Sequence, residues 1–374
     1  MKTLITYDII QPCVENFLTP PSTLQMLTSF YLKKRSILTD RFDILNKESE
    51  FNLQTRGDSL SNILEMKSIS FQECCERRTE EIIKLATKEN KDIYISWSGG
   101  VDSTLVACML LMSSIDNRRL HIIHTKESIL EYPYFYSLLQ KENIQCHEVY
   151  QDMNAVMSLV GDNIFVNGLC GDQLDNFNVA MRYKNLKHFN NWKDEISNIL
   201  SPSYKPFIDK LISDVENYAK LFPITLNVFG EFTWLFSYCI KWIYEAEFFK
   251  CFSSNPNNSM AFFDTDYFSH YGLMSFPQKS LRERTSSYEY RTDWKKLIYK
   301  YTKDEDYFLY KGKDMTFEKN DNNWKGMCVV DNTGYYFYHD VNSSKAKKIM
   351  LEYIKPEYKE YYNVLVRDKR INDV

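Results

Sequence analysis

The sequence predicts an α/β protein: a parallel sheet with helices on both faces, followed by a mostly helical C-terminal region. Three observations predict it. Short apolar, β-branched runs alternate with amphipathic helical stretches between residues 70 and 172. The run that opens at Tyr94 is apolar and β-branched, as a strand buried in a sheet covered on both faces is. Beyond Asp172 the pattern shifts to long aromatic-rich helical segments, Phe232 to Phe252 among them.

In chain order, residues 1–70 look irregular, and FDILNKESEFNLQTRG carries a hairpin-like alternation around a polar centre. Ser70 to Asn90 reads as a helix with Cys74, Ile82, Ile83 and Leu85 on its apolar face. Lys91 to Trp97 is a strand, Thr104 to Ser113 a helix, and Leu120 to Thr125 a second strand. Pro133 to Asn143 is a helix, Cys146 to Tyr150 a third strand and Asp162 to Asn167 a fourth. Asn255 to Ser259 is a loop. No further strand is evident before Met327 to Val330 and Tyr335 to Tyr338, which flank a hairpin turn at Asp331-Asn332-Thr333-Gly334. The domain plan is a small segment over 1–70, a main domain over 71–320, and a hairpin and helical extension over 321–374.

Composition narrows the class. The chain has 374 residues and a formal net charge of −4, which argues against nucleic acid as the main partner while leaving a local basic groove open. No 18-residue apolar run is present, so no membrane span is expected, and MKTLITYDIIQPCVENF lacks the pattern of a signal peptide. The nine cysteines are odd in number, and Cys74 and Cys75 are adjacent, which suits reduced thiols in a cytoplasmic protein.

One stretch carries chemistry. In YISWSGGVDSTLVACMLL, a buried strand runs into Ser98-Gly99-Gly100-Val101-Asp102-Ser103 and then a helix. Glycines let the backbone approach a ligand, and the N–H groups at the helix start attract negative charge. The Ser98 and Ser103 hydroxyls can donate to phosphate oxygens. Asp102 would repel a bare phosphate, and makes sense with a divalent cation between the two. The G-x-x-x-x-G-K-[ST] and G-x-G-x-x-G patterns are both absent. The plain alternative is a turn that only caps a helix.

The hexapeptide resembles the S-G-G-x-D-S loop of the N-type ATP pyrophosphatases, the PP-loop enzymes. That resemblance implies an adenine nucleotide alpha hydrolase-like fold. It also implies ATP as substrate with Mg²⁺ as cofactor, cleavage between the α and β phosphates, adenylation of an acceptor oxygen, and displacement of AMP by a nucleophile. Ser98, Gly99, Gly100, Asp102 and Ser103 would then bind the pyrophosphate.

Four later segments resemble the synthetase domain of asparagine synthetases. Gly168-Leu169-Cys170-Gly171-Asp172-Gln173-Leu174 is similar to G-E-G-x-D-E-[LV]. The match makes Gly168 part of the nucleotide site and Asp172 a second metal ligand beside Asp102, with a helix N-cap as the plain alternative for Asp172. HTKESILEYPYFYSLLQKENIQCHEVY resembles the stretch after the family's second strand, with Glu131 ahead of a helix and His124 and Thr125 bordering the adenine. Ala261 to Phe268 resembles the P-F-L-D-x-x-[LV]-[VF] segment without the preceding Arg and Pro. Lys311-Gly312-Lys313 matches the family's R-x-K, which makes Lys313 the stabiliser of charge on the transferring phosphorus and Lys311 its fallback. An ordinary solvated lysine loop is the alternative there.

Two departures bear on the product. Lys2 stands where the glutamine-dependent members carry a catalytic cysteine, and the segment ahead of the loop is short for their glutaminase domain. Ammonia from a separate glutaminase, or an amino group of another molecule, is then the expected amine donor. Leu169 replaces the family's glutamate and cannot relay a proton, and Gln173 replaces an acid. The expectation is an ATP-dependent adenylating ligase acting on a small-molecule acceptor, with a homodimer compatible. The alternatives are a nucleotide- or tRNA-modifying PP-loop enzyme and a degenerate ATP-binding regulatory protein.

Overall fold

The computed structural model describes residues 4–7, 60–150, 153–174, 193, 205–222, 224–242, 245–246, 249–277, 291–311, 327–331 and 334–338. The regular elements used below are β1 (Leu4–Tyr7), α1 (Leu60–Glu65), α2 (Phe71–Glu89), β2 (Ile93–Ser96), α3 (Val101–Leu111) and β3 (Leu120–His124). They continue with α4 (Lys126–Glu131), α5 (Pro133–Lys141), β4 (Gln145–Glu148), α6 (Met153–Val160), β5 (Ile164–Asn167) and α7 (Gly171–Leu174). Then come α8 (Lys205–Leu221), α9 (Phe229–Phe236), β6 (Ser259–Ala261), α10 (Asp266–Ser275), α11 (Thr292–Thr302), α12 (Glu305–Tyr310), β7 (Met327–Asp331) and β8 (Gly334–Tyr338). The chain divides into two units, one of Leu60–Asp175 and Glu245–Asn320, the other of Met1–Ser59, Asn176–Tyr244 and Asp321–Val374.

The first unit holds a five-stranded, all-parallel sheet in the order β4-β3-β2-β5-β6. Its central strands are short and apolar: Ile93, Ile95, Ile122, Ile164 and Val166 are all buried. Helix α3 packs on β2, β3 and β5. Its apolar residues are buried around its whole circumference, from Leu105 through Leu110, as a helix enclosed by protein requires. Helix α2 is amphipathic instead, burying Phe71, Cys74, Cys75, Ile82 and Ala86. Ser70 caps its start by accepting from the Glu73 amide, and Asn90 ends it in the left-handed conformation. Burial pushes the Cys74 thiol up to about 12, so that side chain packs as a neutral apolar group.

The second unit contributes an antiparallel sheet in the order β1-β7-β8, with Leu4 opposite Val330 and Val330 opposite Tyr335. Its α8 and α9 are followed by a π-helical turn, Ser237–Lys241. Trp234 stacks on Tyr238 at 5.3 Å there, and Phe222 meets Tyr238 edge-on at 5.9 Å. Among the described residues, no helix is long and apolar enough to cross a membrane.

The expected strands and helices of residues 70–172 form within a few residues of their predicted ends, and so does the 327–338 hairpin. Four expectations need correction. Residues 1–70 are not wholly irregular, because Leu4–Tyr7 is a strand and Leu60–Glu65 a helix. A fifth parallel strand, β6, follows the expected 255–259 loop; it is three residues long, too short for a periodicity to register. The same loop contains a 3₁₀ turn, Pro256–Asn258. Helix α3 starts at Val101 rather than Thr104, which places Asp102 inside its first turn. The hairpin pattern in FDILNKESEFNLQTRG lies outside the described residues.

Candidate functional site

The order of the parallel sheet locates the site. From β2 the chain moves outward to β3 and β4, then returns across β2 to form β5 and β6 on the other side. The order reverses between β2 and β5, and in open parallel sheets ligands bind outside the carboxyl ends of the strands at that reversal. The loop after β2 is Trp97 to Gly100, and the loop after β5 is Gly168 to Cys170. The two segments singled out by sequence are therefore neighbours at the switch point.

The first loop is braced by its own serines. Ser103 Oγ accepts from the Ser98 amide at 3.0 Å and donates to the Gly100 carbonyl at 3.1 Å. The two hydroxyls lie 3.0 Å apart, and Trp97 Nε1 donates to Thr104 Oγ1 at 3.0 Å. Gly99 has φ +83°, and a β-carbon there would stand 2.6 Å from the Ser128 carbonyl and 2.7 Å from Glu131 Cβ. Only glycine fits both the backbone angle and that contact. Gly100 caps α3 without a side-chain bond, which leaves the amides of the first turn facing the loop.

The second loop presses on the first. A β-carbon at Gly168 would come 2.8 Å from the Ser103 nitrogen, and one at Gly171 would overlap Asp102 Oδ1 and lie 2.9 Å from the Phe263 ring. The turn is drawn in by Asn167, whose Oδ1 accepts from the Leu169 amide at 2.9 Å, and by Cys170 at φ +68°. Asp172 sits in α7 just after this turn rather than capping it from outside. Leu169 is half-buried in the turn, and Gln173 is buried.

Asp102 and Asp172 converge on one cation. Arg291, at the start of α11, holds Asp102 Oδ2 through Nη1 and donates from Nη2 to Asp172 Oδ1 at 2.5 Å. The arginine side chain is 1% exposed, whereas the carboxylates are 20% and 34% exposed, so the acids form the open side of the group. Arg291 has left-handed backbone angles, φ 53° and ψ 44°, and its guanidinium lies 5.5 Å from the centre of the Trp294 ring. Burial lowers its pKa to about 9, which leaves it charged at neutral pH. Asp102 Oδ1 is buried and has no hydrogen-bond partner among the described residues.

A second ion pair borders the loop. Lys311 Nζ donates to Glu131 Oε1 at 3.2 Å, with both side chains close to fully buried. Lys295, one turn along α11 from Arg291, donates to the Lys311 carbonyl at 3.2 Å, and burial depresses its pKa. Tyr132 stacks on Tyr307 at 4.0 Å and donates to Asp304 at 3.1 Å, fixing the helix that delivers Lys311.

Of the sequence-derived residues, Ser98, Gly99, Gly100, Asp102, Ser103, Gly168, Asp172 and Lys311 gather around this switch point. His124 and Thr125 end the neighbouring strand β3. The His124 ring is edge-on to Tyr136 at 5.1 Å, and Thr125 forms a capping box with Ser128 at the start of α4. Lys313 lies outside the described residues. Sequence reasoning missed Arg291 and Lys295. No motif marks them; only the one-turn spacing of two cations flanking Trp294 hinted at a shared face. No protein-family model matches the chain, and no curated protein matches it.

Proposed function

We propose that this chain is an ATP-dependent adenylating ligase of the PP-loop type. One observation carries the reading: two loops at the topological switch point of a parallel sheet bring Asp102 and Asp172 onto a single cation position beside a glycine-serine loop at a helix start. The donor set fits Mg²⁺. Among the described residues it offers two carboxylates and no nitrogen or sulfur ligand, and one oxygen, Asp102 Oδ1, has no other partner there. Mg²⁺ is commonly held by one or two carboxylates together with substrate phosphates, so a third protein acid is not required. When bound, the ion would neutralise charge on the phosphates.

The remaining roles belong to the chain. The amides at the start of α3 and the Ser98 and Ser103 hydroxyls would hold the pyrophosphate portion of ATP. An acceptor oxygen then attacks the α-phosphorus, the bond from that phosphorus to the bridging oxygen breaks, and pyrophosphate leaves with the electron pair. Lys311, paired with Glu131 beside the loop, would stabilise the charge that develops in this step, the role the resemblance gives first to Lys313. An amine next attacks the activated carbon, the carbon–oxygen bond to AMP breaks, and the amine proton passes to solvent. Leu169 contributes no acid or base to that second step.

The test is exchange of labelled pyrophosphate into ATP with panels of small carboxylic acids, nucleobases and RNA. Exchange that depends on a small acid supports the ligase. Exchange that needs RNA or a base transfers the site to nucleotide modification. A second reading, an ATP-binding regulatory protein, is favoured by Leu169 and by the Arg291 bridge across the acid pair. It predicts ATP binding without exchange under any acceptor.

A further inference from the structure

Arg291 occupies the position between Asp102 and Asp172 that a divalent cation would take. Three features distinguish it from a routine surface ion pair. Its side chain is enclosed while the acids it bridges are part open, so the cation comes from the protein side and the vacated place would face outward. Its backbone is held in the left-handed region, uncommon for an arginine, at the N-cap of α11. Finally, one guanidinium bridges both carboxylates, so a single exchange of the arginine for another cation would free the two acids together.

We propose that Arg291 is an exchangeable counter-ion: it holds the two carboxylates together before nucleotide arrives, yields them to the metal that enters with the nucleotide, and pairs with the phosphates instead. This rests on the adenylating-ligase reading above. The exchange gives each group a partner of opposite charge at each stage. Without ligand, the guanidinium bridges both carboxylates. With metal and triphosphate, the carboxylates are matched by the metal and the released guanidinium by phosphate oxygens, for which its planar fork is suited. Arg291 is then a positioning and specificity residue: it suppresses binding of metal alone and favours metal that comes with phosphate. Trp294 and the α11 backbone provide the pivot, because the ring that flanks the guanidinium does not depend on the acids.

The experiment measures Mn²⁺ binding to the full chain by electron paramagnetic resonance, with and without α,β-methylene-ATP, in wild type, Arg291→Gln and Arg291→Lys. In wild type, Mn²⁺ alone should bind weakly and at least tenfold more tightly when the analogue is present. Arg291→Gln should bind Mn²⁺ alone at least tenfold more tightly than wild type, and the metal-free analogue at least tenfold more weakly. Arg291→Lys keeps a charge but cannot span both acids, so its Mn²⁺ affinity should fall between the two and serves if the glutamine variant does not fold. Mn²⁺ affinity in both variants equal to wild type overturns the proposal, and so does unchanged nucleotide affinity in Arg291→Gln. Tighter Mn²⁺ in the variants with no nucleotide binding by any of the three proteins keeps Arg291 as occupant of the metal position and overturns the nucleotide reading instead.

Discussion

Two ion-paired groups flank the glycine loop, and they are built differently. Glu131 and Lys311 pair with each other, 10% and 8% exposed, with the lysine's own carbonyl held by Lys295. Arg291 bridges Asp102 and Asp172, and there the cation is enclosed while the acids are partly open. A buried pair positions its neighbours and is costly to break. Partly open acids can meet charge from outside. The contrast separates a clamp from the proposed binding position.

The largest test of that contrast is Asp102→Asn. Pyrophosphate exchange should fall by about 10³-fold or more, since the change removes a ligand oxygen, and the unfolding midpoint should fall as well, because the enclosed Arg291 loses one of its two carboxylates. A large loss of stability with near-normal exchange would make the acid pair structural. Lys311→Met should do both kinds of damage. Exchange should drop by about 10²–10³-fold, and stability by about 3–5 kcal/mol, because the enclosed Glu131 loses the Lys311 charge. The double variant Lys311→Met/Glu131→Leu separates the two effects. Chemical denaturation should show most of the stability regained, with exchange still lost. Recovery of exchange in the double variant would reduce Lys311 to a structural role.

The legibility of these two groups differed for physical reasons. Asp102 and its loop were readable because a strand, two glycines and a helix start are contiguous, and each has a local signature. The central strands were readable because burial makes most of their residues apolar. Strands β1 and β6 were not. The first owes its place to β7, more than three hundred residues away, and the second to a three-residue pairing with β5. Arg291 was equally hidden, because its role depends on packing α11 against α3, and nothing nearby in sequence marks it. Local chemistry can be read along the chain, whereas partners supplied by tertiary packing cannot.

Gly99→Ala tests the loop rather than either ion pair. The added methyl must sit at positive φ and within 2.6 Å of the Ser128 carbonyl, next to Glu131. The strain should cost about 1–3 kcal/mol, read from denaturant midpoints. Because the displaced atoms belong to the Glu131 side, the damage should fall on the clamp, with Mn²⁺ affinity at the acid pair unchanged. Equal damage to metal binding would mean the two groups are one mechanical unit. Gly171→Ala should give the reverse pattern, since its methyl would meet Asp102 and Phe263.

The smallest effect concerns a third polar group in the same sheet, which stands apart from both. His121 Nδ1 and His147 Nε2 lie 3.0 Å apart, so one ring must donate and the other accept. His121 stacks on Tyr94 at 4.3 Å, and Asp92 lies 3.6 Å from its Nε2, too far for a hydrogen bond. Burial depresses the His121 pKa despite Asp92; for His147, burial and then the nearby His121 and His124 act in the same direction. Both therefore start from the ordinary value of 6.5 in the unfolded chain and move lower in the folded one. Between those values the unfolded chain binds more protons, so their stabilising contribution is complete above pH 6.5 and declines as pH falls through the lowered folded pKa values. Thermal melts should show Tm decreasing on the acid side, by about 2–4 °C for each 1 kcal/mol lost. His121→Phe keeps the stack on Tyr94, removes one titrating ring and should flatten that slope. A slope unchanged in His121→Phe would assign the acid sensitivity to groups other than this histidine pair.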